Sequence, residues 1–165
     1  MIALKISEQK SFMTGLLSGE LFDSFLLSEA TVRMAATYRI DGHLNADFFD
    51  TDTLKDEALH PYEYVSWQEI RPVCRDLIKG KKAPAGFQII LMLKPEYAER
   101  TIGDAAAFSN IRALLLNIRY DSTGLFLIPA VDFKTFSMDR GPEKTWDRTI
   151  VKFLKGKEIV YEEVS

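Results

Sequence analysis

The sequence predicts an α+β fold, a mainly antiparallel sheet with about four helices packed on it, and three observations lead there. Apolar residues alternate with period two in several stretches and recur with period 3.6 in others. Turn signals join strand to strand directly, whereas a parallel sheet needs a crossover between each pair. The chain has 165 residues with no low-complexity linker, which suits a single domain over 1–165 able to hide about two-thirds of its unfolded surface.

The elements follow in order. "MIALKI" alternates as a short strand does, and Ser7 stands where it can cap a helix through "EQKSFMTGLL", whose Phe12, Met13, Leu16 and Leu17 share a face until Gly19 ends it. From Phe25 to Ile40 the period is two, with Leu26, Ala30, Val32, Met34, Ala36, Tyr38 and Ile40 on one side and Glu29, Thr31, Arg33, Thr37 and Arg39 on the other. That span is too long for one strand, so a bend or turn is expected near Ala30 to Arg33. Asp41-Gly42 is a hairpin signal of the type I′ kind, and a less regular segment follows to about Tyr64.

"SWQEIRPVCRDLIKG" begins with a capping box, Ser66 and Glu69, and then places Ile70, Val73, Cys74, Leu77 and Ile78 on one helical stripe before Gly80. Pro72 removes one helical hydrogen bond, so the helix is either kinked there or starts later than the box. "FQIILML" reads as a buried strand and "PEYAERTI" as a short helix with Pro95 first. "IRALLLNIRYDSTGLFLIPAVDF" holds two strands around Asp121 to Gly124, with Pro129 expected at an edge or bulge because it has no N–H for a ladder. The last helix runs from about Pro142 to Gly156, and "KEIVYEE" adds a terminal strand.

Composition narrows the function classes. A hydrophobic content of 47% with 27% charged residues suits a globular chain and excludes wholesale disorder. The net charge of −3 gives no global reason to bind nucleic acid or an anionic membrane. Cys74 has no partner for a disulfide, the N-terminus lacks a signal-like apolar run, and no stretch reaches the ~20 apolar residues of a membrane span. A cytoplasmic protein without a membrane segment is the expectation.

Chemistry-bearing residues are sparse. The stretch from Asp41 to Glu57 holds six acids, and Asp47, Asp50 and Asp52 with His43 form the candidate metal set, because hard cations take converging oxygens. "DTDTLKDE" lacks the glycine and spacing of an EF-hand loop, so solvated turns are the competing account. No paired-cysteine, "HExxH", "GxSxG" or phosphate-loop pattern occurs, and no cofactor is expected. Cys74 lies on an apolar stripe, where a thiol acts as a small hydrophobe. Lys79, Lys81 and Lys82 follow a helix, and Lys144, Arg148, Lys152 and Lys155 fall within about 80° on the last helix. Helix termination and a solvated face explain both sets; contact with phosphates or an acidic partner is the functional alternative. Trp67 and the Phe48-Phe49 pair are expected in the core more than in a ligand pocket.

At "FDSFLLSEATVRMAATYRIDGHLNADFFD", "SWQEIRPVCRDLIKGKKAP" and "LLLNIRYDSTGLF" the chain resembles, nearly end to end, a bacterial family known only as a domain of unknown function. That resemblance implies a small soluble cytoplasmic protein and brings no catalytic residues. The order of elements is also similar to one domain of a DNA sliding clamp, whose helices face the duplex; this likeness rests on topology alone. The sequence thus points first to a non-enzymatic binding or protein-interaction module with a protein partner or a second copy of itself. A nucleic-acid-associated protein using the basic helix faces comes second, and a metal-assisted hydrolase using the acidic segment third.

Overall fold

The computed structural model describes residues 2–49 and 61–164. Strands form at Leu4–Ile6 (β1), Phe25–Arg33 (β2), Thr37–Asp41 (β3), Gly86–Leu93 (β4), Ile111–Asp121 (β5), Gly124–Phe133 (β6) and Tyr161–Glu163 (β7). Helices form at Gln9–Leu17 (α1), Trp67–Ile78 (α2), Pro95–Ile102 (α3), Ala105–Phe108 (α4) and Gly141–Gly156 (α5), with a 3₁₀ turn at Ala46–Phe48. The strands make one sheet in the order β3-β2-β4-β5-β6-β1-β7, and every pairing is antiparallel. The α+β class with a mainly antiparallel sheet is what the spacing predicts.

The two faces of this sheet differ. On one, Leu4, Ile6, Leu27, Ala30, Val32, Ile89, Leu91, Leu116 and Ile118 are fully or almost fully buried, in one cluster with Phe12 and Leu16 of α1, Trp67 and Cys74 of α2, and Trp146, Ile150 and Leu154 of α5. Phe22 joins these helices, with its ring 5.9 Å from Phe12, 5.5 Å from Phe25 and 5.7 Å from Phe153. On the other face Gln88, Ile90, Met92, Leu115, Asn117 and Arg119 remain half-buried or exposed.

Two tryptophans fasten the helices. A buried indole N–H needs an acceptor. Trp67 donates to the Leu16 carbonyl at 3.0 Å, one of the last-turn carbonyls that α1 itself leaves without a helical partner. Trp146 donates to the Leu115 carbonyl at 2.7 Å, at the last β4–β5 pair.

Several local expectations hold. Ser66 accepts the Glu69 N–H at 3.3 Å and α2 begins at Trp67, so the Ser66 cap sets the start and Pro72 is carried inside the helix. Pro95 opens α3, and Asp121 faces Gly124 across a two-residue turn with Gly124 at φ 142°. Pro129 lies past Leu127, the last β6 residue that β1 reaches, and so on an edge.

Others change. Ser7 is not a cap: Glu8 holds that position, and the Ser7 N–H donates to the Val160 carbonyl at 3.0 Å, alongside the β1–β7 pairing. The β2–β3 turn falls at Met34 to Ala36, beyond Arg33, which pairs with Thr37. A bulge between Leu27 and Glu29 inserts one residue, so Leu26 pairs with Met92 on the open side while Leu27 takes the core side. Asp41-Gly42 makes no hairpin. The Gly42 N–H donates to Ser28 O at 2.9 Å, and a Cβ there would stand 1.8 Å from Leu27 O, so close backbone approach is what requires glycine. Phe48 is exposed, while Trp67 belongs to the core.

Trp67→Phe keeps most of the ring but strands the Leu16 carbonyl, and a loss of about 1–3 kcal/mol in urea unfolding is expected. Gly42→Ala, which forces a methyl against the β2 backbone, is expected to cost about 3 kcal/mol in the same assay.

Candidate functional site

The bulge at Ser28 does more than shift register. It frees the start of β2 from β3, and the segment Pro61 to Ser66 takes the vacated side: Leu27 N–H donates to Val65 O, Val65 N–H to Gly42 O and Leu44 N–H to Glu63 O, each at 2.9 Å. This lays Tyr62, Glu63 and Tyr64 beside the open face of the sheet. Together with α3 and α4 at the sheet's end they enclose a cleft of about 400 Å³. Its floor includes Leu26, Met92, Ala113 and Leu115, its walls Tyr62, Tyr64 and Phe108, and its polar edge Glu63, Arg112 and Asp132. Small-molecule sites have this size and this mixture of apolar lining with few polar groups.

The polar groups around the cleft are largely engaged with each other. The Tyr62 hydroxyl donates to the Glu96 carboxylate, and Lys94 Nζ stands 5.7 Å from the Tyr62 ring centre. Arg112 pairs with Asp132 at 3.4 Å. Loss of water, then the bond and charge of Glu96, push the Tyr62 phenol up to about 12. The same bond holds the Glu96 carboxyl below its usual range. Tyr62 therefore keeps its proton at neutral pH and donates; it does not act as a base.

The sequence-predicted residues lie elsewhere. His43 is exposed, its backbone N–H donating to the Asp41 carboxylate at 2.9 Å and its ring edge-on to Tyr64 at 5.2 Å. Asp47 is exposed in the 3₁₀ turn, and Asp50 and Asp52 lie outside the described residues. Among the described residues, no group of three or more His, Cys, Asp or Glu side chains is placed to hold a metal ion. Lys79, the C-cap of α2, reaches the Ser18 hydroxyl at 3.5 Å, and Lys81 and Lys82 follow it, exposed. Lys144, Arg148, Lys152 and Lys155 are exposed along α5 and form no ion pair with a described carboxylate. Cys74 is buried, and burial pushes its thiol up to about 11.

Sequence patterning passed over the cleft residues, though one signal was present. "FQIILML" is apolar on both faces, and with α1, α2 and α5 all on the other side, Ile90 and Met92 needed a further explanation.

Residues 15–162 match the model of a family of unknown function. No curated protein and no solved structure matches the chain significantly.

In an NMR titration, Tyr62→Phe is expected to let Glu96 protonate at higher pH than in the parent, because the main cause of its depression is gone; an unchanged titration would contradict this pairing. For the parent, the raised Tyr62 phenol adds stability that is complete below its ordinary value near 10 and is lost as pH rises toward about 12.

Proposed function

Because the chain belongs to DUF5721, a family of unknown function, no activity carries over from it, and we propose from the cleft that it is a non-enzymatic binding module. The ligand is a compact, mainly apolar group with a donor or cationic edge. The observation that carries this is the combination of an apolar floor with an acid-leaning rim, Glu63 and Asp132 against Arg112, and with no thiol or imidazole among the described lining residues. Tyrosine walls favour a cation over their faces. Tryptamine, an aromatic ring with an ammonium, is the probe. It is expected to shift the amide resonances of Leu26, Met92, Ala113 and Leu115, with indole-3-acetate weaker by about threefold or more, in line with one rim charge interaction of up to ~1 kcal/mol. Ala113→Leu, which fills the floor, should abolish the shifts while leaving the unfolding midpoint near the parent's. Equal shifts in that variant, or none in the parent, would overturn the assignment.

A second reading concerns the stripe on α5. Four cations between positions 144 and 155 of a 16-residue helix, with no described acidic partner, can meet a polyanion such as a nucleic-acid backbone. It predicts salt-dependent DNA binding by fluorescence anisotropy. The slope of log affinity against log salt should drop by about 3 when Lys144, Arg148 and Lys152 become glutamate. Unchanged binding in that variant removes it.

A further inference from the structure

A second groove, of about 380 Å³, lies on the helix side of the sheet where β4 begins and β5 ends. Here α1 and α2 leave Tyr120 half-buried, its ring stacked at 5.4 Å and 22° on the buried Phe87, which lines the bottom of the groove. Met13 and Ile78 from the two helices and Pro84 from the α2–β4 connection complete an apolar bed. Lys10 lines one bank and Lys79 the other, no carboxylate lines it, and Lys81 and Lys82 follow Lys79 on the surface. None of these four lysines forms an ion pair with a described carboxylate.

Helix electrostatics account for Lys79 but not for the rest. A cation at the C-terminus of α2 is favourable, yet Lys81 and Lys82 lie beyond that helix, and Lys10 sits in the first turn of α1, where a positive charge is unfavourable. A small inorganic anion would answer the lysines and leave the apolar bed in water; a neutral apolar ligand would do the reverse. We propose that this groove docks an acidic peptide segment of a partner protein, with large apolar side chains on Met13, Pro84 and Tyr120 and carboxylates on Lys10 and Lys79. This site is separate from the open-face cleft and does not rest on it.

The test is fluorescence anisotropy with a short fluorescein-labelled peptide of Leu, Phe, Asp and Glu, alongside an equally charged peptide with Ser in place of Leu and Phe, and phosphatidylserine vesicles as a competing surface. The full-length protein is expected to bind the first peptide saturably. The Lys10→Glu/Lys79→Glu variant should bind it roughly tenfold more weakly at an unchanged unfolding midpoint, and Met13→Ser should weaken it without altering its salt dependence. Absence of binding, equal affinity for the serine peptide, undiminished binding by the double variant, or displacement of the peptide by vesicles with equal avidity would each overturn the proposal.

Discussion

The helical layer is fastened by two indole N–H groups that satisfy backbone carbonyls, one joining α2 to α1 and one joining α5 to the sheet. Trp67 closes the end of α1 through Leu16, and Trp146 anchors α5 on β5 through Leu115. Each ring is almost wholly buried, so its large apolar area and its obligatory hydrogen bond act at the same point. A buried carbonyl left without a donor costs more than an average hydrogen bond stabilises, which makes these contacts selective for one placement of each helix. With α1, α2 and α5 so placed on one face, the other face is left to strand residues, the Pro61 to Ser66 segment and, at the sheet's end, α3 and α4.

What happens on that second face follows from one inserted residue. The bulge at Ser28 puts Leu26 on the face opposite Ala30 and Val32, and the pairing of β2 with β3 starts only at Glu29. Pro61 to Ser66 can then pair with the start of β2, through Leu27 and an isolated bridge between Leu26 and Ser66. Gly42 is the tightest point of this arrangement, because no side chain fits between it and Leu27 O. The cleft is thus a product of backbone irregularity, and Tyr62, tied to Glu96, and Arg112, tied to Asp132, keep its edge ordered.

Periodicity reveals the regular parts of this molecule well and its irregular parts poorly. The stripe of Cys74 and Ile78, the box at Ser66 and Glu69, Pro95 at a helix start and the Asp121 turn are local signals, and local physics alone places them. Asp41-Gly42 misleads because glycine serves two needs, positive φ and close approach, and the sequence does not separate them. Leu26 misleads because a bulge reverses parity without leaving a mark in hydrophobicity. The cleft brings together Leu26, Tyr62, Met92 and Asp132, residues from four separate parts of the chain, so no spacing rule reaches it. Lys79, Lys81 and Lys82 were visible as a cluster, but Lys10 was not, and their meeting beside Met13 and Phe87 depends on how α1 meets α2.

The account stands on the one-sided covering of the sheet, and hydroxyl-radical footprinting of the native protein tests it most directly. Trp67 and Trp146 should stay unmodified while Met92, on the open face, is oxidised at a rate between theirs and that of the exposed Met138. Ready modification of either tryptophan with Met92 fully protected would mean that the helices cover the opposite face, or neither, and would contradict it.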